Sequence, residues 1–217
     1  MILQEKLVRA FRCLLVIVFI QLAAVAAVRA AEVINNPDPA TIYLLQCKFA
    51  GTTPAYEAMA QADSSVKAAD EFHKAELAKQ LVASLKARFA SLEGVKEITV
   101  NFMSNFSEYD AQTGEYDFDI SDGTYVPANA FGRELRIALT NGTLAQTWKL
   151  GPKEAEEALR KNKGERWARL ALRLALLPSS PAVDREPIVL NTKIVGYDVL
   201  NRFSNVKLGS AVVENAH

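Results

Sequence analysis

Residues 166–177 read RWARLALRLALL, and the period assigned to them decides the fold. On a helix, Trp167, Leu170, Leu174 and Leu177 share a face, and Ala, Leu and Arg all favour helix. On a strand, Leu170, Leu172, Leu174 and Leu176 line one face, with Arg169, Ala171, Arg173 and Ala175 opposite. The strict alternation collects both arginines on one side. Asn162 and Gly164 have meanwhile supplied a stop for the helix before the run. The run is therefore read as a strand, and its neighbours as parts of a sheet.

Working back, Pro152 opens a short helix reaching about Lys161. Glu154, Glu156 and Glu157 lie near its start, and Arg160 and Lys161 near its end, as the helix dipole favours. Residues 134–139 and 144–150 read as strands joined by Asn141-Gly142, a hairpin dipeptide. Tyr116, Phe118 and Ile120 alternate with Glu115, Asp117 and Asp119, after a connector whose Gly114 suits a left-handed turn. Ile98, Val100 and Phe102 alternate with Thr99 and Asn101. Residues 65–92 read as one amphipathic helix, with Leu77, Leu81, Leu85 and Phe89 at four-residue steps and Gly94 as its stop. Residues 41–49 fit a strand or a short helix. Downstream, Pro178, Pro181 and Pro187 bracket a loop, and residues 188–195 read as a last strand before Gly196. Strands that follow one another through short turns pair antiparallel. The expected fold is α+β: a mainly antiparallel sheet of about five to six strands, N-terminal helices packed on one face, and one short inserted helix.

The first thirty residues read as an address. Lys6, Arg9 and Arg12 stand against Glu5, then residues 13–28 are apolar apart from Gln21. Val28-Arg29-Ala30 places small residues where a signal peptidase reads, so the cut is expected between Ala30 and Ala31, and a cut after Ala26 also fits. The apolar run of 16 residues falls short of the roughly 20 that span a bilayer, so membrane attachment is expected only through an uncleaved signal. Residues 31–217 then form a single periplasmic or secreted domain. Cleavage leaves 21 basic and 24 acidic residues, and Cys47 as the only cysteine, so the mature chain has no internal disulfide.

Composition narrows the chemistry. The whole chain balances 25 basic against 25 acidic residues, which argues against a uniformly basic nucleic-acid binder. Two histidines argue against a His-based metal centre. No G-x-S-x-G, H-E-x-x-H or phosphate-binding glycine loop occurs, so no catalytic residue and no cofactor is assigned. Cys47 with His73 as its base lacks a recognisable frame; Cys47, among Leu44, Leu45 and Phe49, reads as an inert buried thiol.

Two charged clusters remain. Glu108, Asp110, Glu115, Asp117, Asp119 and Asp122 crowd one hairpin, a pattern to test for calcium or for a carboxylate pair in a hydrolase or carbohydrate-active enzyme. Their spacing does not match an EF-hand loop. Arg160, Lys161, Lys163, Arg166, Arg169 and Arg173 crowd the other segment. If the arginine strand neighbours the acidic hairpin, Arg169 and Arg173 pair with Asp117 and Asp119 across strands. Alternatively, Arg166, Arg169, Arg173, Asp117 and Asp119 form a patch for an envelope protein or an anionic envelope component.

Residues 108–120 (EYDAQTGEYDFDI), 148–161 (WKLGPKEAEEALRK) and the run from Arg166 together resemble a family of bacterial exported α+β domains of unknown function. The resemblance implies one exported α+β domain and transfers no catalytic residue. The functional expectation is a non-enzymatic, exported module that binds a partner or an envelope component.

Overall fold

The alternation over the arginine run holds in three dimensions: Trp167–Leu176 is a strand in the computed structural model, which describes residues 32–213. The expected cleavage point at Ala30 and Ala31 lies outside the described residues. In chain order the elements are β1 (Glu32–Asn35), α1 (Pro39–Phe49), α2 (Tyr56–Ala62), α3 (Ser64–Ala68), α4 (Lys74–Ser91), β2 (Val95–Asn105) and β3 (Glu115–Asp117). There follow β4 (Tyr125–Ala130), β5 (Arg133–Leu139), α5 (Gly142–Ala145), β6 (Thr147–Lys149), α6 (Pro152–Lys161), β7 (Trp167–Leu176), β8 (Ile188–Asn201) and β9 (Lys207–Val212).

The protein is α+β, but its sheet is not the mainly antiparallel one expected. Seven strands run in the order β1-β2-β7-β8-β5-β4, with β9 also on β8, and β3 pairs β6 in a separate two-stranded sheet. Strands β5 and β8 are parallel, from Leu135 opposite Ile188 to Leu139 opposite Thr192, so the sheet is mixed. The physical reason lies at Asn141-Gly142, which does not turn a hairpin. Asn141 uses its side chain as a piece of strand: its Oδ1 accepts from Ile194 N–H at 2.7 Å and its Nδ2 donates to Ile194 C=O at 2.9 Å. Gly142 then opens α5, where a Cβ would collide with the Ser121 carbonyl. The chain runs on through β6, α6 and β7 before β8 returns beside β5, a crossover long enough for parallel pairing.

Strand β8 carries two partners on one edge: β5 along Ile188–Thr192 and β9 along Gly196–Leu200. It continues through Gly196, where the expected strand had ended. There the register with β7 shifts, and a Cβ on Gly196 would meet the Ala211 carbonyl and the Arg173 guanidinium, each at 2.8 Å. Glycine permits the crossing instead of ending the strand.

The helix expected over 65–92 is broken. The Asp70 carboxylate accepts from the N–H groups of Phe72 (3.0 Å) and His73 (3.1 Å), competing with the helical pattern, and α4 starts afresh at Lys74. Leu85 of its stripe is buried, whereas Leu77 is exposed. Helix α1 begins at Pro39, capped by Asp38 accepting from Thr41 N–H at 2.7 Å, and packs on β8, β4 and β5. Helix α4 packs mainly on α2, and also on α1 and α3. The helix expected from Pro152 to Lys161 is α6 with those bounds.

One face of the large sheet is buried. Leu170, Leu172, Leu174 and Leu176 lie on it with Ile98, Val100, Ile194, Tyr197 and Val199. Helix α1 covers the half where β5 pairs β8. The other half is covered by the β3–β6 sheet, whose Tyr116 and Trp148 sit opposite each other. Trp148 stacks on Phe118 (centroids 5.9 Å apart), Phe118 meets Tyr197 edge-on (5.7 Å), and Phe106 meets Tyr116 edge-on (5.0 Å). The described residues 33–213 cluster as one compact unit with this core.

Candidate functional site: an aromatic–arginine platform

The register of β7 settles what its arginines touch. Arg169 lies opposite Met103 of β2 and Leu200 of β8, and Arg173 opposite Thr99 and Gly196. The acidic hairpin pairs elsewhere, with Asp117 opposite Thr147 of β6. The cross-strand pairing of Arg169 and Arg173 with Asp117 and Asp119 therefore does not form. Two strands already flank β7 on both edges, which leaves no place there for a third. Asp119 is nonetheless brought to the same end of the sheet, its N–H donating to Asn105 C=O and Ser104 Oγ, each at 3.2 Å. Arg166 turns the other way, donating to Ser107 C=O, with its guanidinium 5.9 Å from the Phe106 ring. Arg173 lies exposed over Gly196, apart from the others.

Around Arg169 a different constellation assembles. Its Nη2 donates to Ser204 C=O (3.3 Å) and to Asn205 Oδ1, tying β7 to the loop between β8 and β9. That loop presents Arg202 and Phe203. The Arg202 guanidinium lies 5.0 Å from the Phe203 ring and 5.8 Å from the Trp167 ring, a cation between two aromatic faces. Trp167 is 45 % exposed and Phe203 76 % exposed. Met103 sits diagonal to Trp167, since Asn105 is the direct cross-strand neighbour of Trp167.

Two buried amides hold this surface in shape. Asn162, fully buried at the end of α6, donates from Nδ2 to the carbonyls of Glu165 (2.7 Å) and Trp167 (3.1 Å). It accepts from Asn201 Nδ2 at 2.9 Å. Asn201 Oδ1 then accepts from the N–H groups of Phe203 (2.9 Å) and Ser204 (3.1 Å), and Asn201 N–H closes the loop on Val206 C=O at 2.9 Å. Buried amides whose capacity is spent this way fix one geometry, because any alternative leaves a polar group unpaired in the core. The platform is thus exposed and ordered at once.

The other candidates are occupied structurally. Asp110 Oδ1 accepts from Gln112 N–H at 2.7 Å, and Asp122 Oδ1 from Thr143 N–H at 3.0 Å, so two of the hairpin acids serve the backbone. The N–H groups of Gln112 and Thr113 together hold the Asp110 carboxyl below the usual carboxylate range. Among the described residues no group of three or more His, Cys, Asp or Glu is arranged to hold a metal ion. Burial pushes the Cys47 thiol up, away from the reactive thiolate, and His73 pairs with Asp70 (2.7 Å). A cavity of about 420 Å³ between α1, α3 and the β4–β5 turn holds two carboxylates, Asp38 and Asp63. Both are helix caps, Asp38 further engaged by Arg88 at 2.8 Å and Asp63 by the Ser65 hydroxyl at 2.6 Å. They are spent on holding helices.

Sequence reasoning placed Arg169 in a candidate patch and noted the exposed side of its strand. It left Trp167 out of that patch and missed Arg202, Phe203 and the two asparagines as parts of the site. Their signal was Asn201-Arg202-Phe203-Ser204-Asn205, a polar stretch with one aromatic, which fits a turn exposing a large apolar side chain. Comparison of the chain with protein-family models, with curated proteins and with solved structures found no match.

Proposed function

We propose that this chain is an exported, non-enzymatic binding module, and that the surface of Trp167, Arg169, Arg202 and Phe203 is where it binds an envelope component. The observation that carries the reading is the pairing of exposed aromatic rings with a buried scaffold that orders them. Exposed Trp and Arg side chains in fixed geometry are what interfaces use as anchors, because little conformational entropy is lost on docking. Export rests on the charged start, the apolar run and the small residues before Ala31. The resemblance of residues 108–120, 148–161 and the run from Arg166 to bacterial exported domains agrees with it. Among the described residues no helix is long and apolar enough to cross a membrane.

The test is native mass spectrometry of the chain expressed in its own host and purified gently, beside a Trp167→Ala/Arg202→Ala variant and a distant Lys79→Ala control. The expected result is an adduct or second chain present with the control and lost with the platform variant. Equal retention by all three places binding elsewhere. A mass corresponding to an uncleaved leader overturns the processing half of the proposal.

A further inference from the structure

Resting on the platform reading, we infer that its ligand is an anionic membrane surface, which it docks on peripherally through the β8–β9 loop. The geometry points to a lipid headgroup layer because large apolar side chains are strongly exposed beside an exposed guanidinium. Phe203 is 76 % exposed at the loop, and Val206, at 49 %, follows three residues on. Trp167 and Met103 lie near by at the end of the sheet, at 45 % and 41 % exposure. A strongly exposed phenylalanine and a half-exposed tryptophan with a guanidinium between them are the side-chain types that sit at a bilayer boundary, apolar rings toward the acyl edge and the cation at the headgroups.

The charges fit the same surface. Arg202 sits between the two rings, and Arg169 is tied to the loop by neutral oxygens only. Neither has a carboxylate partner among the described residues. Lys207 at the base of the loop is offset by Asp198 at 2.8 Å, and Glu165 and Asp119 lie at the rim. Arg202 is thus the exposed cation left to meet lipid phosphates, which a guanidinium engages with paired hydrogen bonds, while Arg169, half-buried with its Nε enclosed and its Nη2 on the loop oxygens, holds the loop in place. Two protruding apolar groups alone hold a membrane weakly. Anionic lipid is therefore required as a second contribution, and binding is salt-sensitive.

The molecule carries its own reporter. Of its two tryptophans, Trp148 is fully buried, so a change in emission on adding vesicles comes from Trp167. The probe is a set of vesicles of phosphatidylcholine with or without one-quarter phosphatidylglycerol, some brominated in the acyl chain. The protein is the chain from Ala31, which contains the compact unit and lacks the apolar leader. The expected result is a blue shift and bromine quenching with anionic vesicles only. Phe203→Ser and Arg202→Glu should each weaken binding on the order of tenfold, as should raising salt from about 50 to about 500 mM. Trp167→Phe should abolish the optical change while co-flotation persists.

Absence of binding to anionic vesicles overturns the membrane inference. If the platform variant still loses its native adduct, the platform reading survives with a protein or saccharide ligand. If it does not, both fail. Equal binding by wild type and Phe203→Ser also overturns the inference, since the loop would then not be the docking element.

Discussion

Trp148 and Trp167 stand on opposite terms with the solvent. Trp148 lies beneath the sheet with none of its surface exposed, ringed by Tyr116, Phe118 and Phe106. Trp167 lies at the end of β7 with nearly half of its surface in water and Arg202 across its face. Both are held by backbone pairing, Trp148 opposite Tyr116 and Trp167 opposite Asn105. The difference is what their apolar area is used for. Around Trp148 it is removed from water by folding; around Trp167 it remains available to another molecule. The first arrangement contributes stability, and the second leaves apolar area accessible at the surface.

The sharpest way to break the comparison is to empty its buried side. Trp148→Ala should destabilise the domain by about 3–5 kcal/mol, the range for large aromatic truncations in cores. The lower end is expected, because the indole N–H has no partner in its buried site, and its removal recovers part of that cost. Overfilling the same contact should also be costly. A Cβ on Gly209 would sit 2.5 Å from the Trp148 ring, so Gly209→Ala forces β9 or the indole to move, at about 1–3 kcal/mol. Urea unfolding measures both, and unchanged midpoints would mean that the aromatic unit is not integral to the core.

Next comes the scaffold that joins the two regions. Asn162→Ala orphans the carbonyls of Glu165 and Trp167 and one bond of Asn201, for an expected loss of about 1–3 kcal/mol. Unlike Trp148→Ala, it should also speed amide hydrogen exchange across residues 162–167 and 201–206. Faster exchange confined to the core strands would dissociate the asparagines from the platform.

A pH titration sharpens the buried side further. Burial pushes the Tyr197 hydroxyl far up, and it donates to Thr147 C=O at 3.0 Å. In the unfolded chain the same group ionises near its ordinary value of about 10. The native state therefore holds its proton while the unfolded state releases it. Stability is retained below about pH 10 and lost as pH rises above it, by up to about 1.4 kcal/mol per pH unit for this group. Tyr197→Phe should flatten that slope. An unaltered slope would assign the alkaline transition to other groups, of which Tyr116, also pushed up by burial, is the first to examine.

How far these regions could be read in advance follows from what kind of contact makes them. The strand at residues 167–176 and helix α6 were legible because alternation, Pro152 and the flanking charges are local signals. Strand β4 was missed: its interior Pro127 reads as a breaker, and only a place at the sheet edge makes it acceptable. Gly196 and Asn141 misled for a related reason. Each carries a turn signal locally, yet serves a distant partner, the Ala211 carbonyl for one and the Ile194 backbone for the other. The parallel pairing of β5 with β8 has no local signature at all. For the candidate site, the exposed side of β7 was legible from its arginines. The loop completing it was not, because Phe203 is apolar and single, and only the Asn162–Asn201 bond shows which way it faces.

The smallest expected effect on stability is the most informative about function. Trp167→Ala removes a half-exposed ring from the end of a strand. The backbone carbonyl that Asn162 grips is retained, and so is the pairing of residue 167 with Asn105. The change in unfolding free energy should stay within about 0.5 kcal/mol, as for exposed positions outside caps and cores. Binding, in contrast, should fall by an amount typical of an interface anchor, about 2 kcal/mol or more. A variant that folds like the wild type and no longer binds separates the two uses of an aromatic surface within one sheet. A loss of several kcal/mol of stability with binding intact would reverse the assignment, making Trp167 a part of the fold and Trp148 no longer its counterpart.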